Sequence, residues 1–282
     1  MSSEGITFSF GSNWREYLEC ADELSIESAR KDIVSWLGAD GVKGKTVLDI
    51  GSGSGIHSLV FWLLGAKRVL SFDYDTNSVQ ATRSVWEKAG KPANWDVRHG
   101  SILDPVFIQS IESGDGFDIV YAWGVLHHTG AMWNAIKAAS SLVGQKGMFW
   151  ISLYAKGPAY PRHLAEKQKY NRASRLGKKL MELQFIAELV RQRLRGYGGL
   201  RRCASALLHG RVKDATSPFR WKVKKARGMD TYHDIVDWMG GLPYEVANVE
   251  EATTFLADYG LRLKKVEEAP EGSCHVFLFA RA

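Results

Sequence analysis

The sequence contains few cysteines, with three in 282 residues. Cys20, Cys203 and Cys274 are odd in number and far apart, which supports neither a disulfide framework nor the paired spacing of zinc ligands. Long apolar runs are also absent, since stretches such as 59–66 are far too short to cross a bilayer. The N-terminus lacks the basic and apolar segments of an export signal. We therefore expect a reduced, cytoplasmic protein with no transmembrane span and no bound metal.

Internal repeats and low-complexity segments are missing as well. Hydrophobic residues make up 45% of the chain and aromatic residues 11%, which is enough to bury a substantial core. This composition excludes a disordered chain, a collagen-like chain and a small disulfide scaffold.

Charge is distributed unevenly along the chain. Residues 156–230 hold 20 Lys and Arg against five Asp and Glu, a net charge of +15, whereas the rest of the chain has a net charge of −9. The sequence therefore describes an acidic body with a basic insert. Solvated helix faces account for such a charge without any partner, and a binding surface for an anionic partner is the alternative.

Short β-rich runs alternate with helix-length amphipathic stretches from about residue 45. This alternation is typical of a parallel sheet covered by helices on both faces, so we predict a doubly wound α/β fold. Strands are predicted at 45–50, 68–73, 95–99, 117–122 and 147–153, with helices around 56–65, 77–89, 105–112 and 131–142.

The alternation stops on either side of this core. Apolar residues at helical spacing predict leading helices within 14–37 and a helical region over 162–208, whose apolar stripe runs from Leu180 to Leu194. The glycine-rich segment 196–199 is predicted to break this region. A helix near 249–260 ending at Gly260, followed by a β-hairpin at the sheet edge, is predicted to close the chain. The resulting divisions are an N-terminal helical segment (1–44), an α/β core (45–154), a basic, mainly helical insert or lid (155–246) and a closing helix and hairpin (247–282).

A glycine-rich turn follows the first predicted strand. Glycines in VLDIGSGSG permit a tight turn and let a ligand approach the backbone, while the next helix N-terminus offers free amides. Their spacing differs from the dinucleotide pattern Gly-x-Gly-x-x-Gly, whose third glycine would fall at Ile56. Asp49, two residues before Gly51, is placed to anchor the turn or to reach a cationic amine.

The next two strands also end in polar residues. Asp73, followed by Tyr74, ends the second strand, where a carboxylate accepts hydrogen bonds from ribose hydroxyls. Gly100 and Ser101 follow the third strand, where an adenine edge would lie. Each residue alone has a structural reading, such as a helix cap, but their order along three strand ends predicts a nucleoside site.

The motifs that carry a family resemblance are VLDIGSGSG, SFDYD, GSILD and FDIVYAWGVLHHTG. Through them, the sequence resembles the class I S-adenosylmethionine (SAM)-dependent methyltransferases over residues 45–154 and the closing helix and hairpin. The later segment RGMDTYHDIVDWMGGLPYEVA resembles a bacterial, quinol-methylase-like subset of unassigned substrate. The resemblance implies a seven-stranded sheet with one antiparallel strand, SAM as methyl donor and S-adenosylhomocysteine (SAH) as product. The cofactor-binding residues are expected to be Asp49, Gly51, Ser52, Gly53, Gly55, Asp73, Tyr74, Ser101, Ile102 and Trp123.

The end of the fourth strand is the expected site of methyl transfer. Trp123 offers an aromatic face to the positive sulfonium, and histidine is suited to take a proton near neutral pH. Of His127 and His128, family analogy favours His127 as the residue that faces the site. Packing or capping of the following helix is the structural alternative for both.

Missing motifs narrow the methyl acceptor. The chain lacks the Asn/Asp-Pro-Pro-aromatic turn by which enzymes that methylate the exocyclic amines of bases resemble one another. It also lacks a cysteine near these strand ends, as methylation of a base carbon requires, and the three closely spaced cysteines of the radical methyltransferases. An oxygen, sulfur or carbon nucleophile of a small metabolite, quinone-like ring or glycan is therefore favoured.

The insert is expected to form the acceptor site, because additions after the fifth strand reach the same sheet edge. His233 and Asp234 are candidate catalytic residues in a pocket wall near the hinge at Gly240 and Gly241. Three alternatives remain: a tRNA or rRNA methyltransferase that uses the basic insert, a non-catalytic nucleoside-binding regulator, and, more remotely, an NAD-dependent oxidoreductase. The insert's apolar stripe also admits peripheral membrane contact, and the oligomeric state is open.

Overall fold

The computed structural model describes residues 23–112, 114–195, 205, 208–209 and 231–281. Its strands are β1 Thr46–Ile50, β2 Arg68–Asp73, β3 Trp95–His99, β4 Phe117–Ala122, β5 Val143–Tyr154, β6 Leu261–Glu267 and β7 Cys274–Arg281. They form one sheet with the order β3-β2-β1-β4-β5-β7-β6. Strands β1 to β5 are parallel to one another, whereas β7 is antiparallel to both β5 and β6. The predicted mostly parallel, seven-stranded sheet with one antiparallel strand is confirmed.

Helices alternate with the strands. They are α1 Glu23–Leu37, α2 Ile56–Leu63, α3 Thr76–Lys88, α4 Pro105–Ile111, α5 Met132–Ser141, α6 Tyr160–Arg172, α7 Arg175–Arg195, α8 Thr231–Gly240 and α9 Val249–Ala257, with a short 3-10 helix at Leu126–His128. Aspartates begin two of them: Asp75 accepts a hydrogen bond from the Asn77 amide at α3, and Asp104 accepts one from the Val106 amide at α4. These caps fix the point at which the chain leaves β2 and β3.

Two hydrophobic cores lie on opposite faces of the sheet, because successive strand residues point to opposite sides. On one face, Leu48 and Leu70 pack with residues of α4, α5 and α9. On the other face, Val47 and Val69 pack with residues of α1 and α2. Both faces are therefore covered by helices, and the carboxyl ends of the parallel strands are left for a site.

The fifth strand is longer than predicted. It begins at Val143 rather than near residue 147, and its register with β4 shifts between Phe117 and Ile119. Gln145 and Lys146, which are exposed, interrupt the apolar pattern there. This exposed pair explains why periodicity located the strand only from residue 147 onward.

The insert contains α6, α7 and α8, which lie between β5 and α9 in the chain. Within the predicted helical region 162–208, an extended backbone at Ala173 ends α6 before α7 begins. Phe185, Ile186 and Leu189 pack with α8 rather than with the sheet, whereas Leu180 and Leu183 are exposed. Residues 14–22, the Gly-rich break at 196–199, Cys20 and Cys203 lie outside the described residues.

No helix in the described ranges is long and apolar enough to cross a membrane.

Candidate cofactor and acceptor site

The glycine turn after β1 is shaped by two close approaches. Gly51 has a φ of +69°, and a Cβ there would lie 2.4 Å from Cγ2 of Val125. Gly55 has a φ of +78°, and a Cβ there would lie 2.8 Å from Cα of Thr82. Ser52 is buried, and its hydroxyl is 2.9 Å from that of Thr82. No larger residue fits these two glycine positions, so the turn forms a cradle of bare backbone.

Asp73 lies directly beside this turn. Its Oδ2 accepts a hydrogen bond from the Gly53 amide at 3.0 Å, and its Oδ1 accepts one from the Asp75 amide at 2.9 Å. Burial raises the pKa of the Asp73 carboxyl to about 6, although both amides oppose this shift. Asp73 does not cap α3, which was the structural alternative, because Asp75 does so. Each carboxylate oxygen retains a lone pair for a further donor.

Asp49 lies beneath the turn and anchors it. The Ser58 hydroxyl of α2 donates to its Oδ2, the Ser71 hydroxyl donates to Ser58 Oγ at 2.7 Å, and the Trp95 indole donates to Ser71 Oγ at 2.9 Å. Burial raises the pKa of Asp49 to about 7, and the Asp73 charge adds to the rise. Of its two predicted roles, anchoring is the one that these contacts support.

The other predicted cofactor-binding residues lie after β2, at Tyr74, and after β3, at Ser101 and Ile102, where the adenine is expected. The Tyr74 ring is exposed and stacks on the His99 ring at 6.4 Å. Ser101 Oγ accepts a hydrogen bond from the Leu103 amide at 3.1 Å, so it shapes its own turn. Ile102 is buried in the core, which leaves only its backbone for a ligand.

The turn after β4 is fixed by its neighbours in the sheet. Trp123 is half-buried against the α1 and α2 side of the sheet. Gly124 follows it and donates its amide to Ser152 Oγ at 2.8 Å. The chain then enters the 3-10 helix that carries His127 and His128.

The two histidines form an aromatic cluster with Tyr154 at the end of β5. The His127 ring centroid lies 4.4 Å from those of both His128 and Tyr154. His128 Nδ1 is 2.6 Å from the Pro243 carbonyl, which can only accept, so that nitrogen carries the proton. Burial lowers the pKa of His128 to about 3 and that of His127 far below its usual range, and the His128 charge adds to the latter shift. Both imidazoles are therefore neutral at physiological pH.

The end of the insert clamps this turn. The Glu245 amide donates to the His127 carbonyl at 3.1 Å, and the Met132 amide donates to the Glu245 carboxylate at 3.1 Å. Burial raises the pKa of Glu245, although hydrogen bonds from the Met132 and Gly130 amides oppose this. The segment from Pro243 to Glu245 therefore sets the position of the histidine turn.

The candidate acceptor residues on α8 are only partly described. The side chain of His233 lies outside the described residues. Asp234 is half-buried in the first turn of α8. It lies close enough to Tyr154 for its charge to help raise the pKa of that phenol, which burial raises most. The fold thus brings Asp234 to the same end of the sheet as the histidines.

Sequence reasoning missed Lys167 of α6. The side chain is fully buried, and its Nζ lies 5.4 Å, 4.7 Å and 4.6 Å from the ring centroids of Tyr154, Trp238 and Tyr244. A signal was present, because His163, Lys167 and Tyr170 recur at the spacing of one helix face. A lysine at such a position is normally solvated, so the pattern did not stand out.

A cavity of about 510 Å³ opens beside this cluster, at the edge formed by the starts of α5 and α6. Its walls are mainly apolar and include Trp133, Tyr160 and Val246, with the charged side chains of Lys156 and Glu245. In the described part of the chain, no group of three or more His, Cys, Asp or Glu side chains is arranged to hold a metal ion.

The SAM expected from the sequence fits this arrangement. At Gly51 and Gly55 a Cβ would meet Val125 and Thr82, so the turn keeps bare backbone, and Asp73 presents a buried carboxylate next to it. Along the ends of adjacent strands, Asp73 ends β2, the glycine turn follows β1 and Trp123 follows β4. The cavity lies further along the same sheet, toward β5.

Known proteins of two kinds match the sequence. A ubiquinone biosynthesis O-methyltransferase of Methylobacterium sp. (strain 4-46) is 30% identical over 117 residues, which are 41% of this chain and 43% of the relative. A ribosomal protein L11 methyltransferase of Acinetobacter baumannii (strain AYE) is 46% identical over 57 residues, which are 20% of this chain and 19% of the relative. The chain thus matches less than half the length of these curated relatives.

Solved structures share the fold. The magnesium protoporphyrin IX methyltransferase of Synechocystis PCC 6803, solved with bound SAH, has a TM-score of 0.53 and 15% identity, and the alignment covers 96% of this chain and 94% of that chain. PKMT2 of Rickettsia typhi has a TM-score of 0.54 and 15% identity, with 98% and 54% covered. A family model described as a methyltransferase domain matches residues 42–202, more than half of the chain. The chain therefore belongs to the class I SAM-dependent methyltransferases.

Proposed function

We propose that this protein transfers the methyl group of SAM to a nucleophilic oxygen, sulfur or carbon atom of a small molecule and releases SAH. The observation that carries the proposal is the contact between the glycine turn and the Asp73 carboxylate, at 3.0 Å, next to the histidine turn after β4. The bound cofactor supplies an electrophilic methyl group. The chain must bind it, align an acceptor with it and remove a proton.

The proposed roles follow the sheet edge. The turn from Gly51 to Gly55, with Asp49 and Ser52, lies beneath the cofactor; Asp73 and Tyr74 hold the ribose side, and Ser101 and Ile102 the adenine side. Trp123 flanks the sulfonium, because an aromatic face attracts its positive charge. The acceptor then lies against His127, His128 and the insert, including His233 and Asp234.

A small acceptor is favoured over RNA by the size and lining of the cavity, about 510 Å³ with aromatic and apolar walls. The ubiquinone and protoporphyrin enzymes similar to this chain are named for small-molecule acceptors. The insert (155–246) is assigned as the acceptor lid on the core. A cytoplasmic location is part of this proposal and rests on the odd number of cysteines.

The test is to incubate the full chain with methyl-labelled SAM and a bacterial cell extract, and then to identify the labelled product. We expect label in a small-molecule fraction and formation of SAH. Label in RNA, with binding that weakens steeply as salt rises, would favour the nucleic-acid alternative. SAM binding with no labelled product would favour the regulator, and no SAM binding would overturn the proposal.

A further inference from the structure

Lys167 is a buried side chain at the site whose chemistry the proposed function leaves unused. Its Nζ lies among the rings of Tyr154, Trp238 and Tyr244, and it donates a hydrogen bond to the Trp238 carbonyl. Tyr154 also packs on His127, so the amine and the histidine turn share one ring. A fully buried lysine is rare in proteins unless it is paired with an acid.

The surroundings suit a neutral amine better than an ammonium ion. Among the residues that the structure describes, Lys167 forms no ion pair, and the Trp238 carbonyl is the only hydrogen-bond acceptor of Nζ. An ammonium has three N–H donors, whereas an amine keeps a lone pair free. Burial lowers the pKa of Lys167 from 10.5 to about 7, so the neutral form is populated near physiological pH.

The three rings give this amine a second property. Aromatic faces attract a cation, so they stabilise the ammonium that forms when the amine takes up a proton. Burial disfavours the ammonium and the rings favour it, so the two effects together keep the pKa of the amine near 7. A general base is most effective when its pKa lies near the working pH. Other titratable groups lie around the amine. The charges of Cys274, Asp237 and Glu166 favour its protonated form. His127, His128, Tyr154 and Tyr244 are also close to it.

Helix capping alone does not account for this placement. Lysines often donate to the last carbonyls of a helix, and Trp238 lies in the last turn of α8. However, Asn171 already donates to the Gly240 carbonyl at 2.7 Å, and a capping lysine can keep its charged end in water. Capping explains one hydrogen bond of Lys167 and leaves its burial beside the histidine cluster unexplained.

We propose that Lys167 is the proton acceptor of the reaction and that the methyl acceptor is a hydroxyl group on an aromatic ring. The inference rests on the proposed function and narrows its substrate class. The lone pair of Nζ forms a bond to the hydroxyl proton as the O–H bond breaks. The acceptor oxygen bonds to the methyl carbon, and the carbon–sulfur pair stays on the sulfur of SAH. The resulting ammonium later releases its proton to water.

The histidines are poorer candidates for this step. Both have a pKa far below neutrality, so each is a weak base, and His128 already holds its proton on Nδ1 toward Pro243. They serve instead as an uncharged wall beside the acceptor. The earlier prediction that His127 is the base is therefore replaced, within this proposal, by Lys167.

The cavity provides the route to the amine. Tyr160 lines the cavity and stacks on Tyr244 with ring centroids 5.5 Å apart, and Tyr244 in turn covers Nζ. The Tyr160 and Tyr244 rings therefore lie between the open space and the amine. The acceptor's hydroxyl reaches Nζ when both rings turn aside, and a planar aromatic acceptor replaces the ring contacts that are lost, which explains the preference for an aromatic ring.

The first test compares Lys167→Met with Lys178→Met in the full chain. Lys178 lies 5.2 Å from the Tyr170 ring in the same insert and serves as the matched control. With methyl-labelled SAM and the extract fraction that the wild type labels, we expect Lys167→Met to lower the transfer rate by about 10²–10⁴-fold, the usual contribution of a general base. Calorimetry with SAH should show unchanged affinity in both variants.

Two further readouts separate a base from a structural residue. Ethylamine added to Lys167→Ala should restore transfer in proportion to its free-base concentration, which a purely structural role would not produce. In the wild type, lysine-selective NMR, assigned by its loss in Lys167→Met, should show the Lys167 amine titrating near neutrality.

The outcomes are distinguishable. If Lys167→Met transfers label as fast as the wild type, or if the Lys167 resonance stays that of an ammonium at a pH of about 9, the inference is overturned while the methyltransferase stands. If the wild type itself transfers no label and fails to bind SAH, the proposed function fails and this inference falls with it.

Discussion

At the scale of single residues, Asp73 is the side chain on which cofactor binding depends most directly. Asp73→Ala removes the buried carboxylate beside the glycine turn, and we expect the affinity for SAM to fall by about tenfold or more, the loss of a charge-assisted hydrogen bond. Calorimetry measures this directly. Asp96→Ala, which removes an exposed carboxylate paired with Arg98, should leave the affinity unchanged. Equal affinity in the wild type and Asp73→Ala would contradict the ribose assignment.

Gly51 tests the shape of the cradle rather than its charge. Gly51→Ala places a Cβ at 2.4 Å from Val125, whereas Gly90→Ala, at a similar positive φ of +87°, meets nothing within 4 Å. Both substitutions carry the same backbone strain, so any further loss in Gly51→Ala measures the clash. We expect Gly51→Ala to lose SAM binding and to unfold at a lower temperature than Gly90→Ala in a thermal scan. Matching melting curves and affinities would show that the turn has room to relax.

At the scale of elements, the strands were the easiest part to predict. The predicted ranges 68–73, 95–99 and 117–122 coincide with β2, β3 and β4, because each is a short β-rich run bounded by turn residues. Element ends that depend on other elements were missed. The break at Ala173 is one, since α6 and α7 separate where both pack against α8.

The part of the candidate site that lies at strand ends was also predictable from the sequence. Gly51, Asp73 and the histidines lie at adjacent strand ends, and parallel topology alone brings such ends together. Lys167 was not predictable in this way. Its burial requires Tyr154, Trp238 and Tyr244, which come from β5, α8 and the segment after α8, and no local pattern in α6 contains that information.

The link between insert and core gives a prediction at this scale. Glu245→Ala removes the carboxylate that accepts the Met132 amide and so frees the start of α5. We expect a loss of stability of about 1 kcal/mol, as for other lost helix caps. We also expect a lower rate of methyl transfer, because the carboxylate no longer holds the Gly130 and Met132 amides, which follow the histidine turn. Urea unfolding and the labelled-SAM assay measure the two effects.

The control is Asn248→Ala, which removes the capping box of α9 at a similar cost in stability but does not touch the turn. If both variants lose the same stability and only Glu245→Ala loses activity, the clamp acts on the site. An unchanged transfer rate in Glu245→Ala would show that the histidine turn holds itself in place.

At the scale of the whole molecule, the buried amine couples stability to pH. In the folded chain the pKa of Lys167 is about 7, while in the unfolded chain it is 10.5. Between these values the unfolded chain binds a proton that the folded chain lacks, so this group makes the free energy of unfolding rise with pH, by up to about 5 kcal/mol. Below pH 7 both states are protonated, and the cost of burying the charge is present in full.

Lys167→Met removes that dependence while it retains an apolar chain of similar length. We therefore expect the variant to be more stable than the wild type near pH 6, with an advantage that shrinks as the pH rises toward 10, because the wild-type amine becomes neutral in both states. Urea unfolding at a series of pH values measures the difference, in which the other titrating groups cancel. Lys178→Met serves as the control for the loss of a lysine from the same insert. If the stability difference between Lys167→Met and the wild type does not change with pH, the folded chain holds Lys167 as an ammonium. The rings of Tyr154, Trp238 and Tyr244 and the Trp238 carbonyl would then fully offset the cost of its desolvation.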